Sequence, residues 1–113
     1  MIDAYGNGGF RFAGMSHRGS LLCLPDGIWA STVATPDQIN EQTLAQIFVK
    51  SDAIEHCLIG TGASAAALGG DLRAKFREHR IAVETMSTGA AVRTYNILMG
   101  EGRRVAALLI AVA

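Results

Sequence analysis

The hydrophobic pattern divides the chain into two parts with different periodicity. Residues 1–34 carry short runs in which apolar and polar positions alternate, broken by many glycines. Phe10 and Phe12, for example, flank Arg11. Alternation of this kind is typical of antiparallel strands joined by tight turns. We therefore predict a small β unit over residues 1–34, with turns at residues 6–9 and 25–27 and with Gly27 at a positive φ.

From residue 35 onward, helical and strand patterns alternate. The sequence Thr35-Pro36-Asp37-Gln38 has the form of a capping box with proline at the first helical position, which predicts a helix over residues 40–49. Further helices are predicted over residues 71–79 and 88–99, and strands over residues 56–59, 81–86 and 105–112. Strands separated by helices imply right-handed crossovers and parallel pairing.

These patterns together predict one α/β domain over residues 1–113. Its three layers are a mixed central sheet with parallel βαβ units, the helices packed on it, and an N-terminal antiparallel β-hairpin layer. The N-terminal β unit covers about residues 1–34, and the α/β unit covers about residues 35–113.

Composition excludes several classes of function. Ten basic and ten acidic side chains cancel, so no overall field recruits nucleic acid or an anionic membrane. The apolar run at residues 105–113 has about half of the ~20 residues that a membrane-spanning helix needs. We expect no membrane insertion, no secretion signal and a cytoplasmic location.

No constellation of residues indicates an enzyme or a metal site. Cys23 and Cys57 lie inside apolar runs and are predicted to be buried thiols, while the three histidines are far apart in sequence. The sequence contains no nucleophile elbow, HExxH motif or CxxC motif. We therefore expect no catalytic residue, no metal and no cofactor, although the question of enzymatic activity stays open.

Polar and glycine residues follow two predicted strands at the point where each strand ends. The first group is Gly60, Thr61 and Gly62, and it begins a sequence, residues 60–65, of the G-x-G-x-x-A form of a dinucleotide loop. The second group, at the start of the third helix, is Ser87 and Thr88. Carboxyl ends of adjacent parallel strands share one edge of a sheet, and a helix N-terminus there can bind an anion. Arg93 could reach the same edge from the helix. Two interpretations stay open. The two groups either line a binding cleft, or they have structural roles, the first as a glycine turn and the second as a helix cap.

Two further features of the last helix and the segment after it are candidates for contacts. Asn96 is unfavourable in mid-helix without a partner, so its side chain is predicted to bind a neighbouring loop or a ligand. Tyr95 is predicted to join the core with its hydroxyl bonded near the rim. Arg103 and Arg104 follow Gly102, where they suit the helix C-terminus and could also contact an acidic partner protein.

Several motifs in the right order resemble one known family: Ile2-Asp3-Ala4-Tyr5-Gly6, Leu24-Pro25-Asp26-Gly27, Ile59-Gly60-Thr61-Gly62, residues 90–96 and residues 101–105. It is the small α/β domain family of the mitochondrial complex I assembly factor three and the adipogenesis-associated domain protein. The resemblance implies three layers with a mixed central sheet and, for the mitochondrial relatives, a role in assembling NADH:ubiquinone oxidoreductase through protein contacts. This chain departs from the family in having Ala63-Ser64-Ala65-Ala66-Ala67 where charged residues are common.

The sequence leaves two functional hypotheses. The first is a non-enzymatic protein-interaction domain with unidentified partners, an assembly or chaperone-like factor of bacterial origin. The alternative is a small-molecule or anion-binding domain, with or without catalysis, whose cleft lies at the strand ends. A homo-oligomer is compatible with either hypothesis.

Overall fold

The computed structural model describes residues 1–113 and contains eight strands and three α-helices. The strands are β1 (Ile2–Gly6), β2 (Gly9–Phe12), β3 (Met15–Arg18), β4 (Ser20–Leu24), β5 (Gly27–Ser31), β6 (His56–Gly60), β7 (Ala82–Met86) and β8 (Val105–Leu109). The helices are α1 (Ala45–Val49), α2 (Gly70–Glu78) and α3 (Thr88–Gly100), and short 3-10 turns cover Pro36–Gln38 and Ser51–Ala53.

The strands form two sheets. β1, β2 and β3 make a three-stranded antiparallel sheet, and the other five strands follow the order β5-β4-β8-β6-β7. Within the larger sheet β6 is parallel to both β7 and β8, whereas β4 is antiparallel to β5 and to β8. The predictions of a mixed sheet and of β6 lying parallel beside β7 are confirmed.

The five-stranded sheet is covered on both faces. One face packs against α1 and α2, and the other against α3 and the three-stranded sheet. Alternate residues of β6 serve the two faces, since Cys57 and Ile59 join the first core and Leu58 joins the second. All five residues of β8 are buried, which explains why this strand reads as a continuous apolar run.

Two tight turns are built differently from each other. Asn7 and Gly8, between β1 and β2, have φ values of +53° and +80°, the pattern of the type I′ turns that suit hairpins. In the turn between β4 and β5, Gly27 does not have a positive φ, so that prediction is wrong. A Cβ atom at this position would lie 2.8 Å from the ring of Trp29, so a larger residue would displace that half-exposed ring.

Several predicted boundaries also need correction. The capping-box segment forms a separate 3-10 turn, in which Gln38 Oε1 accepts a bond from the Thr35 amide at 3.3 Å, and α1 begins only at Ala45. Asn40 and Thr43 exchange side-chain bonds with each other's amides at 2.9 Å, which holds the intervening residues in a turn. Helix α2 begins at Gly70 and β8 ends at Leu109.

Replacing Phe76 with alanine should destabilise the fold strongly. The side chain is fully buried between α2 and the sheet, and its ring centroid lies 4.8 Å from that of Phe48. A cavity of this kind is expected to lower the free energy of unfolding by ~3–5 kcal/mol in urea denaturation. Leu72→Ala, on the same helix face but only partly buried, is the matched control and should have a smaller effect. Equal losses in the two variants would contradict this packing.

Candidate functional site

The ends of β6 and β7 and the start of α3 meet at one edge of the five-stranded sheet. Thr61 follows β6, and its amide donates to the carbonyl of Met86, the last residue of β7, at 2.9 Å. The amide of Thr88 donates to the carbonyl of Gly62 at 2.8 Å. The structure thus brings together the two groups of polar residues that the sequence singles out.

Both threonine hydroxyls at this edge bond to the protein itself. Thr88 is fully buried, and its Oγ1 donates to the carbonyl of Ile110 at 2.7 Å and accepts from the amide of Gly62 at 3.0 Å. Thr61 Oγ1 donates to the carbonyl of Ser64 at 2.8 Å and accepts from the amide of Ala66 at 2.9 Å. Neither hydroxyl is free for a ligand.

Gly60 allows α3 to approach β6 closely. A Cβ atom at this position would lie 3.0 Å from Thr88 Cα and 3.1 Å from Ala91 Cβ, closer than side chains normally pack. The glycine-threonine-glycine segment therefore seats the start of α3 on the sheet.

Ser87 and Arg93 are the other two candidates from this edge. Ser87 is the N-cap of α3, as predicted, and its Oγ accepts from the amide of Ala90 at 3.4 Å. Arg93 is exposed, and its guanidinium takes part in none of the hydrogen bonds or ion pairs of the fold. The hypothesis of an anion at the strand ends stays a prediction, and it now rests on these two residues.

Asn96 joins α3 to β1. Its Nδ2 donates to the carbonyl of Ile2 at 2.7 Å, and its Oδ1 accepts from the amide of Ile2 at 2.8 Å. The predicted bond to a neighbouring segment is present, but the segment is an edge strand and not a loop. The amide side chain thus satisfies both backbone groups of Ile2 at the free edge of β1.

The whole of β1 runs beside α3. Near the start of the helix the Tyr5 hydroxyl fills the space where a side chain at Gly89 would lie, and near its end the Met1 methyl reaches Gly100. Gly89, Arg93, Asn96 and Gly100 are spaced by four, three and four residues, so they form one stripe along the helix. This spacing is the sequence signal that could have identified the β1 contact.

Exposed side chains surround this seam. Met1, Tyr5 and Ile97 are 60%, 49% and 54% exposed, and Arg93 lies between Gly89 and Ile97 on the same side of the helix. We call these four residues the α3–β1 surface. Sequence analysis missed Met1, Tyr5 and Ile97, because apolar residues in a strand and a helix are normally assigned to the core.

Arg103 and Arg104 attach the start of β8 to the start of β6. The Nε atoms of Arg103 and Arg104 lie 3.7 and 3.6 Å from Glu55 Oε1, and Arg103 Nη2 donates to His56 Nε2 at 2.9 Å. A bond from the Arg104 backbone amide, together with the two guanidiniums, lowers the pKa of the Glu55 carboxyl. These contacts give both arginines a role in the fold, and their role in partner binding stays a prediction.

The two cysteines are unsuited to nucleophilic chemistry. Both are fully buried; burial raises the pKa of Cys23 to about 12, and it also raises the pKa of Cys57. Tyr95 is only 2% exposed and joins the core, as predicted, with its hydroxyl next to the Cys23 thiol. Burial, followed by this contact, raises the pKa of the Tyr95 hydroxyl.

Other polar groups do not assemble into a metal site. No group of three or more histidine, cysteine, aspartate or glutamate side chains is close enough to hold an ion. A cleft of about 470 Å³ at the opposite edge of the sheet is lined by polar residues that include Glu55, His56 and His79. No helix has the length and apolar character required to cross a bilayer.

Comparison with protein families decides the classification. The family described as "Protein of unknown function (DUF498/DUF598)" matches residues 2–110. The chain belongs to this family. The resemblance noted from the sequence motifs is thereby confirmed.

Two relatives illustrate the range of the family. The chain is 37% identical over 109 residues to an uncharacterized protein of Rhodobacter capsulatus, with 96% of this chain and 82% of that protein covered. It is 31% identical over 109 residues to the human protein named NADH dehydrogenase (ubiquinone) 1 alpha subcomplex assembly factor 3. That match covers 96% of this chain but only 59% of the human protein.

Solved structures of family members share the fold. A Bartonella henselae protein described as an outer membrane protein superposes with a TM-score of 0.95 at 53% identity, covering 99% of this chain and 94% of that chain. A Rhodopseudomonas palustris protein superposes with a TM-score of 0.88 at 50% identity, covering 100% and 83%. The three-layer α/β fold is thus common to this chain and these bacterial members.

Replacing Thr88 with valine should destabilise the fold without changing its volume. The variant leaves the amide of Gly62 and the carbonyl of Ile110 without the hydroxyl that bonds both, and an unsatisfied buried group costs ~1–3 kcal/mol. Urea denaturation should therefore show a loss of ~2–4 kcal/mol. Thr94→Val is the control, because that hydroxyl bonds only within α3, to the Ala90 carbonyl. A Thr88→Val variant as stable as the control would show that water replaces the hydroxyl.

Cys23 and Cys57 should resist a thiol reagent in the folded protein. Only the thiolate reacts, and burial both raises the pKa of each thiol and blocks access to it. With Ellman's reagent at pH 8 we expect almost no reaction in buffer and two thiols per chain in urea. Rapid labelling of either cysteine without denaturant would show that the sheet opens locally.

Proposed function

We propose that the chain is a non-enzymatic protein-binding domain that assists the assembly of a respiratory complex of the NADH dehydrogenase type. The observation that carries the proposal is the α3–β1 surface, where apolar side chains and an unpaired arginine lie exposed on rigid elements. The name of the mammalian relatives indicates the kind of complex. The chain spans about three fifths of those relatives, so the assembly role is an inference for this domain.

The residue types of this surface suit a protein interface. Tyrosine, methionine and arginine are enriched at the centres of interfaces, because they combine large contact area with hydrogen bonding. Tyr5, Met1 and Arg93 provide this combination beside Ile97, and Arg93 has no internal partner that binding would have to displace. Exposure of about half of each apolar side chain leaves substantial area for a partner to bury.

The surface is also held in place before any partner arrives. Ser87 caps α3, Thr88 ties its first turn to two other elements, and Asn96 fixes β1 against it. A preformed surface loses little conformational entropy on binding, which favours affinity. The polar groups at the strand ends thus support the interface through the fold.

Charge reversal on this surface should impair complex assembly. In the source organism, with the chromosomal copy deleted, a plasmid carrying Arg93→Glu and Ile97→Asp should leave less assembled NADH dehydrogenase on native gels than the wild-type gene. Both positions are exposed, so the variant should fold normally by circular dichroism. Val49→Asp is the control, since Val49 is 77% exposed on α1, on the opposite face of the sheet.

A cross-linking amino acid at position 97 identifies the contact directly. We expect adducts with subunits of the complex that disappear in the Arg93→Glu background. Normal amounts of the complex in the deletion strain would refute the assembly role. Adducts only with unrelated proteins would leave protein binding intact but assign the domain to another assembly.

A further inference from the structure

The outer face of the three-stranded sheet carries a second unusual set of residues. The register pairs Ala4 with Arg11, Arg11 with Ser16, Gly6 with Gly9 and Gly9 with Arg18. Paired residues share one side of a sheet, and residues two apart on a strand do so too. This side therefore presents four small residues and two arginines, whereas Phe10 on the other side enters the core.

These residues line a depression of about 410 Å³. Ala4, Gly6 and Gly9 have little or no side chain, so they leave space on this side of the sheet. Arg11, Ser16 and Arg18 also line the depression, and all three are exposed. The volume falls within the usual range for small-ligand sites.

The polar groups of this face have no partners within the protein. The side chains of Arg11, Ser16 and Arg18 take part in none of the four ion pairs and in none of the side-chain hydrogen bonds of the chain. The one carboxylate in residues 2–18, Asp3, is exposed and forms no ion pair with either arginine. Two positive charges thus face solvent without a counter-charge.

The geometry points to an oxyanion site: we propose that Arg11, Ser16 and Arg18 together bind a carboxylate or phosphate group. Ser16 lies opposite Arg11 and two residues before Arg18, so it neighbours both arginines on the same side of the sheet. Diagonal neighbours on antiparallel strands are ~7–8 Å apart, a span that two arginine side chains can close around one group. Guanidinium forks match the planar carboxylate and the tetrahedral phosphate, and the hydroxyl supplies a further donor.

The three proposed anion contacts belong neither to the α3–β1 surface nor to the strand ends. Tyr5 of the α3–β1 surface also lines the depression, but Arg11, Ser16 and Arg18 are not part of that surface, and their side of the sheet is opposite the one from which Tyr5 contacts α3. The oxyanion site and the proposed assembly role can therefore be tested, and can fail, independently.

Titration of the 15N-labelled chain followed by NMR tests the proposal. The probes are inorganic phosphate and a tetraglutamate peptide, each added against sodium chloride of equal ionic strength. We expect saturable shifts in the millimolar range that are largest at Gly9, Arg11, Ser16 and Arg18. Tighter binding of the peptide would assign the site to acidic segments of proteins, and tighter binding of phosphate would assign it to small phosphorylated ligands.

Variants separate this site from general attraction to positive charge. Arg11→Gln and Arg18→Gln should each weaken binding by about fivefold, and the double variant should abolish saturation. Arg77→Gln is the control, because Arg77 is an exposed arginine on α2 without an ion pair and should leave binding unchanged. Shifts that fail to saturate, that appear equally at Arg77, or that persist in the double variant would overturn the proposal.

Discussion

The arrangement of the molecule depends on one buried hydroxyl, that of Thr88. Thr88 is the first residue of α3. Its Oγ1 accepts a hydrogen bond from the amide of Gly62, just beyond β6, and donates one to the carbonyl of Ile110, just beyond β8. In a buried setting each of these backbone groups would otherwise lack a partner, so the hydroxyl fixes two strand exits and a helix start together. Gly60 completes the arrangement by letting the helix backbone approach the sheet.

The position of α3 then determines the position of the N-terminal sheet. Asn96 bonds both backbone groups of Ile2, and Tyr5 occupies the space above Gly89, so β1 is held along the helix from end to end. Phe10 and Phe12 add apolar contacts from the next strand. These contacts also fix the α3–β1 surface, which we associate with partner binding. Its residues are therefore ordered without a ligand.

The sequence predicts the architecture well and the individual contacts poorly. Local periodicity is visible in a single sequence. It accounts for the alternation around Arg11, the apolar runs of β6 and β8, and the helical spacing of Leu72 and Phe76. The partners of Thr88, in contrast, lie 26 and 22 residues away in sequence, at Gly62 and Ile110. The spacing of residues along the sequence does not predict such contacts. For this reason the sequence indicates a ligand site at polar residues that in fact bond to other parts of the protein.

This outcome bears on where function lies in the fold. In open α/β sheets the carboxyl ends of the strands usually provide the groups that bind ligands, because loops there leave polar atoms free. Here the equivalent hydroxyls, those of Thr61 and Thr88, are bonded internally, and the loop after Gly62 consists mostly of alanine. Arg93, beside exposed apolar side chains, and Arg11 and Arg18, beside a surface depression, are among the charged residues without an ion pair. Groups without internal partners are the ones available for recognition, and in this molecule they lie on outer surfaces.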